Sequence, residues 1–268
     1  MTRRSRTRIL ALANQKGGVG KTTTAINLGT ALAAVGENVL ILDLDPQGNA
    51  STGLGIEDRE RSTFDVMAGK ATMMEAKVAT HVPRLSVVPA TIDLMSFEHQ
   101  AGSGNGKHYR LRDCLAALTA AEEPDERTTY VLIDCPPSLN LLTLNALAAA
   151  DAILVPLQCE FFALEGLAQL LSTVEEIRER LNPKLTIHGV VLTMYDQRTS
   201  LSDQVVDDVR AVLGDKVYNT VIPRNVRVAE SPSHGKPVLL YDYRCTGSQA
   251  YIQLASEVIE RERRMRAA

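Results

Sequence analysis

Apolar runs of strand length alternate with longer segments of helical periodicity along most of the chain. The predicted strands are residues 8–14, 39–43, 85–88, 130–134, 152–156 and 187–194, and the first predicted helix is residues 22–35. Residues 131–133 and 153–155 are apolar without interruption, as in strands buried on both faces. The pattern predicts an α/β fold, a mainly parallel twisted sheet with helices on both faces.

The length and composition suit one large domain, because 268 residues with 45% hydrophobic content can bury a sizeable core. No long linker rich in Pro, Ser or Gly interrupts the apolar segments. We therefore expect a single domain over residues 1–268, with residues 1–7 forming a basic N-terminal arm. The pattern is less regular between residues 51 and 109, and residues 102–106 (Gly-Ser-Gly-Asn-Gly) predict a polar loop.

The net charge and the cysteine pattern limit the ligands and the cellular compartment that we expect for this chain. The formal net charge of -3 gives no general attraction to nucleic acid, so any DNA-binding surface must be local. The four cysteines form no CxxC pair, which fits neither a disulfide framework nor a zinc site. Since no run approaches the roughly 18 apolar residues of a membrane span, we expect a soluble cytoplasmic protein that does not use a membrane.

The strongest chemical signal is Lys-Gly-Gly-Val-Gly-Lys-Thr-Thr at residues 16–23, between the first predicted strand and the first predicted helix. A glycine-rich bend lets backbone N–H groups converge on phosphate oxygens, and the helix N-terminus adds a positive dipole. Lys21 would contact the β- and γ-phosphates, the Thr22 hydroxyl would bind Mg²⁺, and Thr23 would add a phosphate contact. The predicted nucleotide-binding residues of this motif are Lys16, Gly17, Gly18, Val19, Gly20, Lys21, Thr22 and Thr23.

The motif departs from the standard phosphate-binding loop, because Gln15 stands where the first glycine is expected. With its additional Lys16, it resembles the deviant Walker A loop of the ParA/MinD group of P-loop ATPases. In that group the extra lysine reaches the phosphates of the partner subunit. The resemblance therefore implies ATP and Mg²⁺ as ligands, a nucleotide-sandwich homodimer formed on ATP binding, and catalytic roles for Lys16 and Lys21.

A dinucleotide-binding loop is the rival interpretation, since Gly18 and Gly20 open a helix and Asp43 or Asp45 follows at about the spacing of a ribose-binding acid. Thr23 occupies the third glycine position of that fingerprint, and the Lys21-Thr22 pair has no role there. The residues favour a triphosphate over NAD.

Two acidic positions follow predicted strands. The segment Asp-Pro-Gln-Gly that begins at Asp45 is also an ordinary turn, and from the residues alone the two interpretations stand equal. The family resemblance implies that Asp45 orients the attacking water. Asp134 ends an apolar strand as a Walker B aspartate does and would hold Mg²⁺, although an aspartate here also suits the cap of a helix at 138–149.

Three C-terminal segments, residues 190–199, 221–227 and 231–237, resemble the ParA/Soj partition ATPases. The resemblance implies adenine contacts from Pro223 and Asn225. It also implies non-specific binding of double-stranded DNA by Arg198 and Arg227, for which ordinary solvated or ion-paired surface arginines are the alternative interpretation. The expected partner is a ParB-type centromere-binding protein that stimulates hydrolysis.

The expected function is therefore ATP-dependent partitioning of a chromosome or plasmid, with slow intrinsic hydrolysis and association with the nucleoid. A nucleotide-gated switch of replication or transcription and a MinD-like positioning ATPase are the alternatives. Residues 252–265 carry arginines among glutamates and lack the wide apolar face of a membrane-anchoring helix. The cysteines also lack the pairing of an iron–sulfur protein.

Overall fold

One sheet forms the centre of the protein in the computed structural model, which describes residues 6–101 and 105–267. Within those ranges its strands are β1 (Arg8–Leu12), β2 (Val39–Asp43), β3 (Val78–Ala79), β4 (Leu85–Val88), β5 (Tyr130–Asp134), β6 (Ala152–Gln158), β7 (Thr186–Tyr195) and β8 (Val217–Pro223). Their order across the sheet is β3-β4-β2-β5-β1-β6-β7-β8, and every neighbouring pair except β3 and β4 is parallel.

Helices connect the strands and cover both faces of the sheet. Over the same ranges they are α1 (Lys21–Ala34), α2 (Asn49–Gly53), α3 (Thr63–Met67), α4 (Met73–Ala76), α5 (Phe97–Gln100), α6 (Arg110–Ala121), α7 (Leu141–Ala149), α8 (Ala163–Arg180), α9 (Ser200–Leu213), α10 (Val226–Glu230), α11 (Val238–Tyr241) and α12 (Thr246–Ala267). Short 3-10 helices lie at Ile92–Ser96, Asn105–His108, Gly214–Lys216 and Ser231–His234. None of the described helices is long and apolar enough to cross a membrane.

Two hydrophobic cores lie on opposite faces of the sheet, because successive strand residues point to opposite sides. On β1, Leu10 and Leu12 pack into a core that α1 and α12 cover, whereas Ala11 packs into the other core, beneath α6, α7 and α8. On β5, Leu132 packs into the core beneath α1 and α12, and Ile133 packs into the core beneath α6, α7 and α8. The uninterrupted apolar runs are thus strands buried on both faces.

The register of the central strands brings their carboxyl ends together. Leu12 of β1 and Asp43 of β2 both pair with Asp134 of β5, and β1 lies between β5 and β6. In parallel sheets the loops that follow such strands share one edge, which is where ligands bind. The segments after β1, β2 and β5 therefore form one site.

The predicted α/β fold with a mainly parallel sheet is confirmed, and the differences are local. Strand β1 ends at Leu12, before the predicted end at residue 14. Strand β8 was not predicted, because its sequence mixes polar and apolar residues. Of the predicted loop at 102–106, residues 102–104 lie outside the described ranges, as do residues 1–5 of the arm. Arg6 of that arm forms an ion pair with Asp151 at 2.9 Å.

Two glycines provide a stability test of this packing. A Cβ at Gly189 of β7 would lie 2.6 Å from the Tyr218 ring, which is fully buried, whereas a Cβ at Gly166 of α8 would meet no atom within 4 Å. We expect Gly189→Ala to lower the free energy of unfolding by about 1–3 kcal/mol, because overpacking displaces the ring. Gly166→Ala should raise it by about 0.5–1 kcal/mol, since alanine favours a helix. Urea unfolding of both variants measures the difference, and equal midpoints would contradict the packing.

Candidate active site

The loop between β1 and α1 is held by its neighbours in a compact bend. The Asn14 amide donates to the Pro156 carbonyl at 2.8 Å, and its side-chain oxygen accepts the Lys16 N–H at 3.0 Å. On the other side, the Thr193 hydroxyl donates to the Val19 carbonyl at 2.8 Å. Gly18 and Gly20 have φ values of 74° and 90°, in the left-handed region that favours glycine. The glycines therefore allow a bend that strands β6 and β7 fix in place.

The bend leads directly into the N-terminus of α1. The first hydrogen bond of the helix runs from the Thr24 N–H to the Gly20 carbonyl at 2.9 Å. The N–H groups of the first helical turn before Thr24 therefore have no partner within the helix and are available to a ligand. They border a cavity of about 640 Å³, large enough for a nucleotide tail. The residues predicted for the site that line this cavity are Gly17, Gly18, Gly20, Lys21, Thr22, Thr23 and Asp45. Such a helix end is a ready anion site.

Lys21 is buried inside the bend. Its ammonium group donates to the Lys16 carbonyl at 2.9 Å. Burial lowers the pKa of Lys21, while nearby Asp134 is the largest influence that opposes this shift. A cation held at the floor of the loop would gain from an anionic phosphate group, because the phosphate would replace the lost solvation.

Two carboxyl groups lie buried side by side at the ends of β2 and β5. Asp43 accepts hydrogen bonds from the Ser51 N–H and hydroxyl at 2.8 and 2.6 Å, and burial raises its pKa to about 6. Asp134 is fully buried, and neither of its carboxylate oxygens has a hydrogen-bond partner in the described part of the chain. Burial, followed by the charge of Asp43, raises the pKa of Asp134 well above its usual range, although the neighbouring Thr22 hydroxyl opposes the shift.

Asp134 and Thr22 fit a magnesium ion. An ionised, unpartnered carboxylate at this depth is unfavourable unless a cation compensates it. Mg²⁺ commonly takes only one or two protein oxygens and completes its shell with water and phosphate oxygens. Among residues 6–101 and 105–267, no group of three or more His, Cys, Asp or Glu is arranged to hold a metal ion by itself.

Asp45 lies half-buried on the wall of the cavity. Its side chain accepts the Gln47 N–H at 3.0 Å, and its carbonyl accepts the Gly48 N–H at 2.9 Å. Both interpretations of this segment are thus compatible with the structure, because Asp45 shapes a turn while its carboxylate borders the phosphate loop. Its catalytic role stays a prediction.

Lys16 lies beside the cavity and does not line it. Its ammonium group forms an ion pair with Glu160, in the loop after β6, and 47% of the lysine side chain is exposed. No sequence pattern pointed to Glu160 as the partner of Lys16, because the two residues are 144 positions apart. The cavity wall also includes Leu94, Met95 and Glu98, from the irregular stretch where no motif pointed to a site.

The predicted adenine contacts, Pro223 and Asn225, do not line the cavity at the phosphate loop. Pro223 lines a second cavity of about 780 Å³, together with Arg198. The Asn225 side chain caps α10, accepting the Arg227 N–H at 2.8 Å and donating to the Thr246 hydroxyl at 3.0 Å. Asn225 therefore has a structural role, and adenine binding by both residues stays a prediction.

Both predicted DNA-binding arginines are exposed and ion-paired. Arg198 bonds Asp196 through two nitrogens, at 2.9 and 2.7 Å, and this contact holds the pKa of Asp196 well below its usual range. Arg227 pairs with Glu230 at 3.1 Å and with Asp242 at 3.6 Å. A DNA phosphate would have to displace these carboxylates.

Comparison with known proteins assigns the family. A family model described as an AAA domain matches residues 7–187. The chain is 64% identical over 258 residues to the chromosome partitioning protein ParA of Caulobacter vibrioides, covering 96% of this chain and 95% of that protein. The chain belongs to the ParA/Soj family of partitioning ATPases. The sporulation initiation inhibitor protein Soj of Bacillus subtilis is 50% identical, over 94% of this chain and 98% of that protein.

Solved structures carry the same fold as this ParA/Soj chain. Cobyrinic acid a,c-diamide synthase of Mycobacterium smegmatis, crystallised with ADP and magnesium, is 36% identical with a TM-score of 0.82, and the match covers 96% of each chain. The septum site-determining protein MinD of Pyrococcus horikoshii, complexed with Mg-ADP, is 27% identical with a TM-score of 0.77, over 94% of this chain and 96% of that one. The predicted P-loop fold is confirmed.

Replacing Asp134 should separate stability from metal binding. We expect Asp134→Asn to raise the free energy of unfolding without ligands, because the variant has no buried unpartnered charge. The same variant should lose most of the Mg²⁺-dependent part of ATP affinity, at least tenfold, since the carboxylate is the charge that faces the metal. Calorimetric titration with ATP, with and without Mg²⁺, measures the second effect.

Asp208→Asn is the matched control, because Asp208 is exposed on α9 and forms no ion pair in the described structure. It should change neither quantity. Unaltered Mg²⁺ dependence in Asp134→Asn would show that the metal lies elsewhere.

Proposed function

We propose that this chain is a partitioning ATPase whose ATP and Mg²⁺ bind at residues 16–23 with Asp134, and whose ATP-bound form is a nucleotide-sandwich dimer that binds double-stranded DNA without sequence preference. Hydrolysis, stimulated by a ParB-type partner, releases the DNA. One observation supports the nucleotide site above the others: helix-end residues and a buried lysine line one cavity, and a buried carboxylate without a hydrogen-bond partner in the described ranges lies next to that lysine.

Each of these groups has a part in phosphoryl transfer. The loop amides and Lys21 hold the β- and γ-phosphates, and Asp45 orients the attacking water. Thr22 and Asp134 hold the metal, which neutralises charge on the phosphates when it is bound. Lys16 contributes from the partner subunit in the manner of an arginine finger, so that hydrolysis depends on assembly. Isolated monomers should therefore turn over slowly.

Dimerisation explains how an acidic protein would bind DNA. A single subunit offers a few arginines on loops, and a dimer doubles their number on one molecule, which turns weak attraction into usable affinity. Arg224 and Arg244 lie beside Arg198 around the second cavity and are exposed, and neither guanidinium group forms an ion pair in the described ranges. They would add to the contribution of Arg198 and Arg227. Association with the nucleoid follows from this binding.

Replacing Asp45 tests the dimer. We expect Asp45→Ala to bind ATP and Mg²⁺ but to hydrolyse ATP at least tenfold more slowly, because no carboxylate orients the water. It should then accumulate as a dimer in size-exclusion chromatography with ATP and Mg²⁺. Asp208→Ala, at an exposed position on α9, should behave as the unmodified protein. A variant that binds ATP yet stays monomeric would contradict the sandwich.

The double variant Arg198→Ala/Arg227→Ala tests the DNA surface. We expect DNA binding to weaken at least tenfold and the slope of log affinity against log salt concentration to become shallower, because fewer counterions are released. ATP binding should survive. Filter binding or anisotropy over an NaCl series measures both quantities.

Arg112→Ala/Arg178→Ala is the matched control, since both arginines are exposed and paired with neighbouring carboxylates. The net charge changes equally in the two double variants. Equal losses of affinity would mean that DNA responds to overall charge and not to this surface.

A further inference from the structure

The ion pair between Lys16 and Glu160 has a consequence for assembly. We propose that Glu160 is a positioning residue that holds Lys16 against its own subunit and releases it when a second copy of the chain docks. This proposal rests on the proposed function, in which Lys16 acts on the partner's nucleotide. A lysine paired within its own subunit is not free to cross the interface.

Glu160 is fixed at the junction of β6 and α8. Its N–H donates to the Gln158 carbonyl at 2.9 Å, and its carbonyl accepts the Ala163 N–H at 3.0 Å. The preceding residue, Cys159, donates its N–H to the Thr193 carbonyl at 3.1 Å. Because the Thr193 hydroxyl also holds the Val19 carbonyl of the phosphate loop, Glu160 and that loop are positioned by one strand.

Besides the bond from its N–H to Asn14, Lys16 is restrained at two points. Its carbonyl accepts from the Lys21 ammonium at 2.9 Å, and its own ammonium reaches Glu160. A phosphate that draws Lys21 toward it would remove the first restraint, because an ammonium prefers an anionic acceptor to a carbonyl. The second restraint would remain until Glu160 is displaced or shielded. Release of the Lys16 side chain therefore depends on the displacement of Glu160, because the other bonds hold the backbone of Lys16.

An exposed aromatic pair follows Glu160 directly. Phe161 and Phe162 are 76% and 61% exposed, and their rings meet edge to face with centroids 5.1 Å apart. Exposed aromatic side chains beside a functional lysine are typical of a contact with another protein. The occupant we assign is the second copy, because the rings directly follow the residue that pairs with Lys16, the lysine proposed to act on the partner's nucleotide. Covering the rings would shift the adjoining Glu160 and free the lysine.

The ion pair between Lys16 and Glu160 is weak enough to form and break reversibly. The Lys16 and Glu160 side chains are 47% and 29% exposed, and partly exposed ion pairs change an equilibrium by about two- to fivefold. A restraint of that size suppresses premature release of Lys16, yet the contacts of a docking subunit overcome it.

Chemical labelling of Lys16 tests the pair directly. The nucleotide-free protein would be treated with a limiting amine-acylating reagent, and modification of Lys16 measured by peptide mass spectrometry against Lys184, which is exposed and unpaired in the described structure. We expect Glu160→Gln to raise the labelling rate of Lys16 about two- to fivefold relative to Lys184, and Glu160→Asp to restore part of the protection. Glu165→Gln, an exposed acid on α8, is the control and should leave the rate unchanged.

Assembly provides the second measurement. Glu160→Gln should dimerise with ATP at a protein concentration about two- to fivefold lower than the unmodified chain and show faster basal ATP turnover. Equal labelling in the two proteins would overturn the proposal, as would faster labelling without any change in dimerisation. If the unmodified chain forms no ATP-dependent dimer at all, the proposed function itself fails, which the labelling result alone would not reveal.

Discussion

The site depends on the Asp134 carboxylate, which the fold buries fully and leaves without a hydrogen-bond partner in the described ranges. Asp134 ends the strand beside β1, and the register places Asp43 directly across from it on β2. Asp43 accepts two hydrogen bonds from Ser51 on one of its oxygens, whereas neither oxygen of Asp134 lies at hydrogen-bond distance from a partner in the described ranges. Close to it lie Thr22 and the Lys21 ammonium. This burial costs stability, and a divalent cation bound at Asp134, as proposed, would recover that cost.

The rest of the architecture keeps that position rigid. Parallel strands buried on both faces leave little freedom at their carboxyl ends, and the phosphate loop is held from β6 through Asn14 and from β7 through Thr193. Lys16 has a different environment, at the edge of the site, where it is half-exposed and paired with a residue next to exposed aromatic rings. The rigid part suits nucleotide binding, and the exposed part suits a contact that forms and breaks.

The features that could be predicted from the sequence are those formed by consecutive residues or placed at the end of an apolar strand. The phosphate loop is contiguous, and Asp134 follows an unmistakable apolar strand, so both could be located before the structure was known. The partner of Lys16 could not, because contact with Glu160 is set by the order of β1 and β6 in the sheet. Strand β8 was not predicted because it too depends on a long-range contact. The N–H groups of Asn219 and Thr220, in the polar part of this strand, donate hydrogen bonds to Glu257 of α12.

Thr193 holds two functional elements through different atoms, its hydroxyl at the phosphate loop and its carbonyl at the segment that carries Glu160. The positions of the phosphate loop and of the Glu160 segment thus both depend on the position of Thr193 at the end of β7. A disturbance that frays the end of β7, whether from heat, a crowded side chain or a bound molecule, would loosen both together. Catalytic competence and the capacity to assemble are for this reason expected to be inherited or lost as a unit as related sequences diverge.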